Sequence, residues 1–144
     1  MARPNTCELN VGRLIEITVD GGYHAPADVD AMIAMIGAAM ARIPASTKAV
    51  IVADWRGVHL MPPDTAARAH TMLTAVSPRV ERSAILVSTT SSMEMLQFVR
   101  LVRESQHPSR RIFDTTASLG AWLREVLVPL EVARLSAFLG RLAP

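Results

Sequence analysis

The chain has 144 residues, half of them hydrophobic and 19% charged, a length that fits one domain and a composition that excludes a disordered tail. A domain of this size buries roughly two thirds of its unfolded surface, enough for a substantial core. The formal charge is +2, acidic residues nearly balance the basic ones and aromatics reach only 4%, so a nucleic-acid surface of clustered bases and stacking rings is not expected.

Lys48 is the only lysine among 15 basic residues, so the pI of 9.3 reflects an arginine-biased composition. Cys7 is the only cysteine and no internal disulfide can form, which points to a reducing, cytoplasmic setting. Residues 1–8 hold no apolar run of the secretory kind, and no segment approaches the ~18 apolar residues of a membrane span.

In chain order, residues 14–19 are β-branched with partial alternation and are followed by Asp20-Gly21-Gly22, a strand and its turn. Residues 7–10 form a candidate strand hairpinned to it through Val11-Gly12. Pro26 and Asp28 open a helix in which Val29, Met32, Ile33, Ile36, Met40 and Ile43 recur at three and four, and Pro44 stops it. Gly37, Ala38 and Ala39 predict a thin side that lies close on a sheet.

Residues 48–54 are almost wholly apolar, as in a central strand covered on both faces. A helix over about 64–76 and a second apolar strand over 83–88 complete a parallel, right-handed crossover. A third helix, about 92–105, carries Met95, Leu96, Phe98, Val99 and Val102 inward, with Arg100 and Arg103 outward. His107-Pro108 ends it, and residues 110–113 form a short edge strand.

A helix over 116–127 then turns Leu119, Trp122, Leu123 and Val126 to one side, and Pro129 divides it from the last helix. There Val132, Leu135, Leu139 and Leu142 form a narrow apolar seam, with Glu131, Arg134 and Arg141 away from it. The expectation is a single α/β domain: a mainly parallel sheet of four or five strands covered by helices, core about 13–127, plus a C-terminal helix over about 129–142.

Asp54 followed by Arg56-Gly57-Val58, the strand Arg82-Ser83-Ala84-Ile85-Leu86-Val87, and Arg111-Ile112-Phe113-Asp114 leading to Ala121-Trp122-Leu123 together resemble the SpoIIAA-like branch of the STAS superfamily, also described as STAS/SEC14-like. The resemblance runs from about Arg13 to Leu127. It implies a regulatory domain that acts by binding other proteins. In anti-sigma-factor antagonists of this superfamily, a serine in the loop after the central strand is phosphorylated by a partner kinase; here that region is 60–66, and Asp64-Thr65 stands in its place, making Thr65 the candidate phosphate acceptor.

No phosphate-binding glycine loop, nucleophile elbow or metal-ligand pair marks an enzyme, and no cofactor is expected. Asp54 is the most enzyme-like residue, since open parallel sheets bind ligands beyond their strand ends, and with His59 or His70 it would suit a hydrolase. Its simpler role is a polar or capping one. Asp64 reads as a helix N-terminal residue, and Ser91 with Glu94 as a capping box rather than part of a phosphate cluster with Ser88, Thr89, Thr90 and Ser92.

Arg100, Arg103, Arg110 and Arg111 either converge on an anion or stand apart in solvent, and Met32, Met35, Met40, Met93 and Met95 either line an adaptable apolar pocket or fill the core. The functional expectation is a non-catalytic regulatory domain working by protein–protein contact, with a carrier or sensor of a small, lipid-like ligand as the alternative. Candidate contact residues are Tyr23, Asp54, Trp55, His59, Met61, Arg100 and Arg103. The seam of Val132, Leu135, Leu139 and Leu142 is a candidate homodimer face.

Overall fold

The computed structural model describes residues 3–88 and 90–142. Its order is β1 (Thr6–Val11), β2 (Leu14–Thr18), α1 (Pro26–Met40), β3 (Ala49–Asp54), α2 (Pro63–Val76), β4 (Val80–Leu86), α3 (Ser92–Glu104), β5 (Arg110–Phe113), α4 (Thr116–Arg124) and α5 (Pro129–Arg141). The strands form one sheet in the order β1-β2-β3-β4-β5. Only the β1–β2 pair is antiparallel.

The hairpin turns at Gly12, whose φ of +57° lies in the left-handed region. A Cβ there would also stand 2.3 Å from Glu131 Oε2, so the position is closed to side chains on two counts. β3 is buried at all six positions, the signature of a strand covered on both faces. Three successive crossovers between neighbouring parallel strands put α1, α2 and α3 on the same face, because right-handed connections that advance in one direction cannot alternate sides.

Ile15, Ile17, Ile51 and Ile85 point to those three helices. Leu14, Val50, Val52 and Leu86 point to the opposite face, where α4 and α5 supply Leu119, Leu123, Leu135 and Phe138. The result is a three-layer arrangement with an apolar core on each side of the sheet.

This arrangement corrects the seam expected on the last helix. Leu135 is fully buried, and Leu139 and Leu142 are half-buried, in the core that the chain's own sheet and α4 form, while Val132 is half-buried outside that cluster. Phe138, outside the predicted seam, is buried as well. Glu131 and Arg134 are not turned to solvent either. Glu131 is 4% exposed and accepts the Val128 and Arg13 N–H groups at 3.0 Å each, tying the start of α5 to the hairpin turn. Arg134 grips the buried Glu16 of β2 through two bonds of 2.7 and 2.8 Å.

Other differences are local. β4 begins at Val80, three residues before the expected start, because its backbone already pairs with β3 there, Val80 with Ala49 and Arg82 with Val50, while the polar side chains of Glu81 and Arg82 are met by Arg13 and Glu125. In α1, Gly37 and Ala38 face solvent and only Ala39 meets the core, so the thin side is not what brings this helix to the sheet. α4 stops at Arg124; Val126 and Leu127 follow in a turn that still packs on the second core.

Truncating Leu135 to Ala should lower the free energy of unfolding by about 2–5 kcal/mol in urea titrations. The mass from light scattering should stay the same. A halved mass with unchanged stability would instead place the seam between two copies.

Candidate functional site

The residues after β3 carry most of the candidates, and their geometry starts at Asp54. Its carboxylate is buried and accepts from Arg56 three times, from the backbone N–H at 3.1 Å and from Nε and Nη2 at 2.9 and 3.0 Å. This closes the turn after the strand. Gly57 follows where any Cβ would lie 2.6 Å from the Val19 carbonyl, so the loop is pressed onto the end of β2.

Trp55 is buried between Tyr23 and Phe98, edge-on to each at 5.7 Å between centroids. The three rings join the loop before α1, the end of β3 and helix α3. Met61 is buried too, and its backbone is read by the side chain of Gln97: the Met61 N–H donates to Oε1 and Nε2 donates to the Met61 carbonyl, both at 2.9 Å. One amide thus replaces a strand neighbour and pins residues 59–61 to α3.

The candidates therefore divide. Tyr23, Trp55 and Met61 are framework and Asp54 is engaged by Arg56, while His59, Arg100 and Arg103 are exposed. His59 is paired at 3.5 Å with Glu94, and His70 lies beside the Glu104 carbonyl at 3.1 Å, so neither shares a hydrogen bond with Asp54. Among the described residues no group of three His, Cys, Asp or Glu side chains is placed to hold a metal ion. Thr65, the candidate phosphate acceptor, is fully buried with its hydroxyl towards the His24 carbonyl. A kinase could reach it only after the start of α2 had opened.

Two expectations about α3 change. Leu96 and Val99 lie outside the core, 66% and 46% exposed, as do Met93 at 64% on the same helix and Leu60 at 52% on the loop held to it, with Arg100 and Arg103 also exposed on α3. The signal was present in the sequence: residues 93, 95, 96, 98, 99, 101 and 102 are all apolar, more than a single stripe of one helix can bury. The methionines do not gather into a pocket, since Met32 and Met40 are core, Met35 and Met95 half-buried, and Met93 exposed. Ser91 caps α3, its hydroxyl accepting from the Glu94 N–H at 3.3 Å, but the expected box forms only by that half, the Glu94 carboxylate lying against His59 instead.

The four arginines do not converge. Arg100 pairs with Glu104 at 2.9 Å, and Arg111 stacks on Trp122 at 5.0 Å on the other face. Arg110 is neither solvated nor ion-paired: it is 4% exposed and donates to Ser105 Oγ at 2.8 Å, Ser77 Oγ at 3.2 Å and the Leu73 carbonyl at 3.2 Å. Those acceptors lie at the C-terminal ends of α2 and α3, where the helix dipoles are negative and receive its charge. Burial nevertheless pushes its pKa down to about 10.

Between the sheet and helices α1 and α2 lies a cavity of about 20 Å³, lined in part by Tyr23, Trp55, Met32, Met72, Ser83 and Arg110. That is room for roughly one water molecule. The Tyr23 hydroxyl is buried there without a protein partner, and burial raises its pKa. Burial, with Glu8 adding to it, pushes the Cys7 thiol up to about 11.

Replacing Arg110 with Met should cost about 2–4 kcal/mol in urea unfolding, because the Leu73 carbonyl and two hydroxyls lose their shared donor. Arg110→Lys should recover only part, since an ammonium cannot fork across three acceptors. The raised thiol value makes the folded protein hold a proton that the unfolded chain releases above its ordinary value. Stability should therefore be intact below about pH 8.5 and fall as the pH rises towards 11. Cys7→Ser should flatten that fall in urea midpoints measured across the range.

Compared with protein-family models, with curated proteins and with solved structures, the chain matches none of them.

Proposed function

We propose that this chain is a non-catalytic binding domain of the STAS-like kind, acting by protein–protein contact through the outer side of α3 and the loop at 59–61. The observation that carries the reading is four exposed large apolar side chains on one loop and one helix, Leu60, Met93, Leu96 and Val99, where the other exposed large hydrophobics among the described residues are Val128 and Leu130 at the start of α5. Single exposed leucines are ordinary, but four large apolar side chains on one docked loop and one helix are a place for another surface. The Gln97–Met61 pair supports it by holding loop and helix as one rigid unit.

The lipid-carrier alternative has less behind it, since a cavity of about 20 Å³ leaves no room for an acyl chain. A hydrolytic role for Asp54 would first have to release its carboxylate from Arg56. Self-association through α5 would have to use its exposed start, Val128 and Leu130, because Leu135 and Phe138 are consumed within the protomer.

A photo-crosslinking residue at position 96, and for comparison at the exposed position 137 on α5, tests the reading in the native cell. The expected outcome is a discrete adduct from position 96 alone. No adduct there, or the same adducts from both positions, would sink the proposal.

A further inference from the structure

β5 is one of the two edges of the sheet, bonded to β4 on one side and, among the described residues, to no strand on the other. The carbonyls of Ser109 and Phe113 accept from the Ser83 and Val87 N–H groups, so the ladder uses alternate residues of β5. In a parallel ladder the residues between them turn their peptide groups the opposite way. The Arg110 N–H is taken by the His107 carbonyl at 3.3 Å. The Arg110 carbonyl and both peptide groups of Ile112 are left facing outward.

Alongside this edge, between β5 and α3, runs an open trough of about 340 Å³ with Val99, Val102 and Ile112 as its apolar wall and Arg103 and Arg111 among its lining. Both arginines are exposed. Neither has an ion-pair partner among the described residues: Glu104 is held by Arg100, and Arg111 rests on the Trp122 ring. The edge therefore offers main-chain donors and acceptors, a greasy channel on one face and, at its rim, two exposed arginines outside any salt bridge among the described residues.

We infer that the β5 edge receives an added strand from an acidic, extended segment of another protein. Side chains of a strand alternate between faces, so every second residue of the segment enters the trough while those between meet Arg111, and Arg103 closes the rim. A second copy of this chain fits poorly, because pairing β5 with itself would oppose Arg103 and Arg111 with their own counterparts. The inference rests on the binding-domain reading above and names the partner's chemistry. Val99 belongs both to the α3 surface and to the trough, so one partner can cover the two.

The test is fluorescence anisotropy of the full chain with a labelled heptapeptide alternating glutamate and valine. Saturable binding is expected, weakened at least about ten-fold by Arg103→Glu with Arg111→Glu, and about as much by N-methylating the peptide along its pairing edge. Circular dichroism of the double variant checks that the fold is kept. N-methylation leaves the protein untouched, so that arm decides even if the variant misfolds. Absence of saturable binding, equal affinity for an alternating lysine–valine peptide, or indifference to N-methylation overturns strand addition. A crosslink at position 96 alongside such a failure would leave the binding-domain reading standing; strand addition without a crosslink would move the contact away from α3.

Discussion

The constraint from which the architecture follows is that β3 must be covered on both faces, while the three right-handed crossovers can cover only one. Sequential strand order commits α1, α2 and α3 to the same side of the sheet. Val50 and Val52 on the other side would be left in water. The chain after β5 resolves this, and α4 and α5 are best understood as the missing layer rather than as an appendage. That is why Leu135 and Phe138 of α5 are spent inside the protomer, and why its polar residues are recruited as well: Glu131 holds the hairpin turn and Arg134 satisfies the buried Glu16.

The buried charged groups share one logic. Each stands where the backbone has unmet groups or where an opposite charge reaches it. Glu131 accepts N–H groups at the start of α5, and Arg110 donates at the ends of α2 and α3. A helix end packed against a sheet lacks water to satisfy its terminal amides and carbonyls, so a side chain from a neighbouring element has to do it. These residues fasten elements together, and the one candidate acid of the site, Asp54, belongs to the same class through its bonds to Arg56.

With those groups occupied, what the domain presents outward is apolar surface on α3 and an unpaired strand edge beside it. The two meet at Val99. Both arise from the position of α3 and β5 at the end of the sheet: the last crossover helix has a neighbour on one side only, and the last strand has no successor. The exposed apolar side of α3 and the sheet edge thus share one origin in the topology.

The amino-acid sequence by itself determined the element types and nearly all their boundaries. Turn residues at Gly12, Pro44 and Pro129 and the periodicities of two and near 3.6 are local signals, and locally they were sufficient. It also marked β3 as central, because the uninterrupted apolar run of five from Ala49 to Ala53 is the pattern of a strand covered on both faces. What it left open was which apolar side of a helix meets its own sheet. Leu135 of the last helix read as part of a dimer face and is buried in the chain's own core, Leu96 and Val99 read as core and are exposed, and Arg110 read as either an anion ligand or a solvated group and is buried among neutral acceptors. Those outcomes depend on which elements lie next to one another across the sheet. Periodicity shows that a stripe must be buried; only the tertiary arrangement supplies the surface that buries it, and only there do distant carbonyls such as that of Leu73 come within reach of a charged side chain.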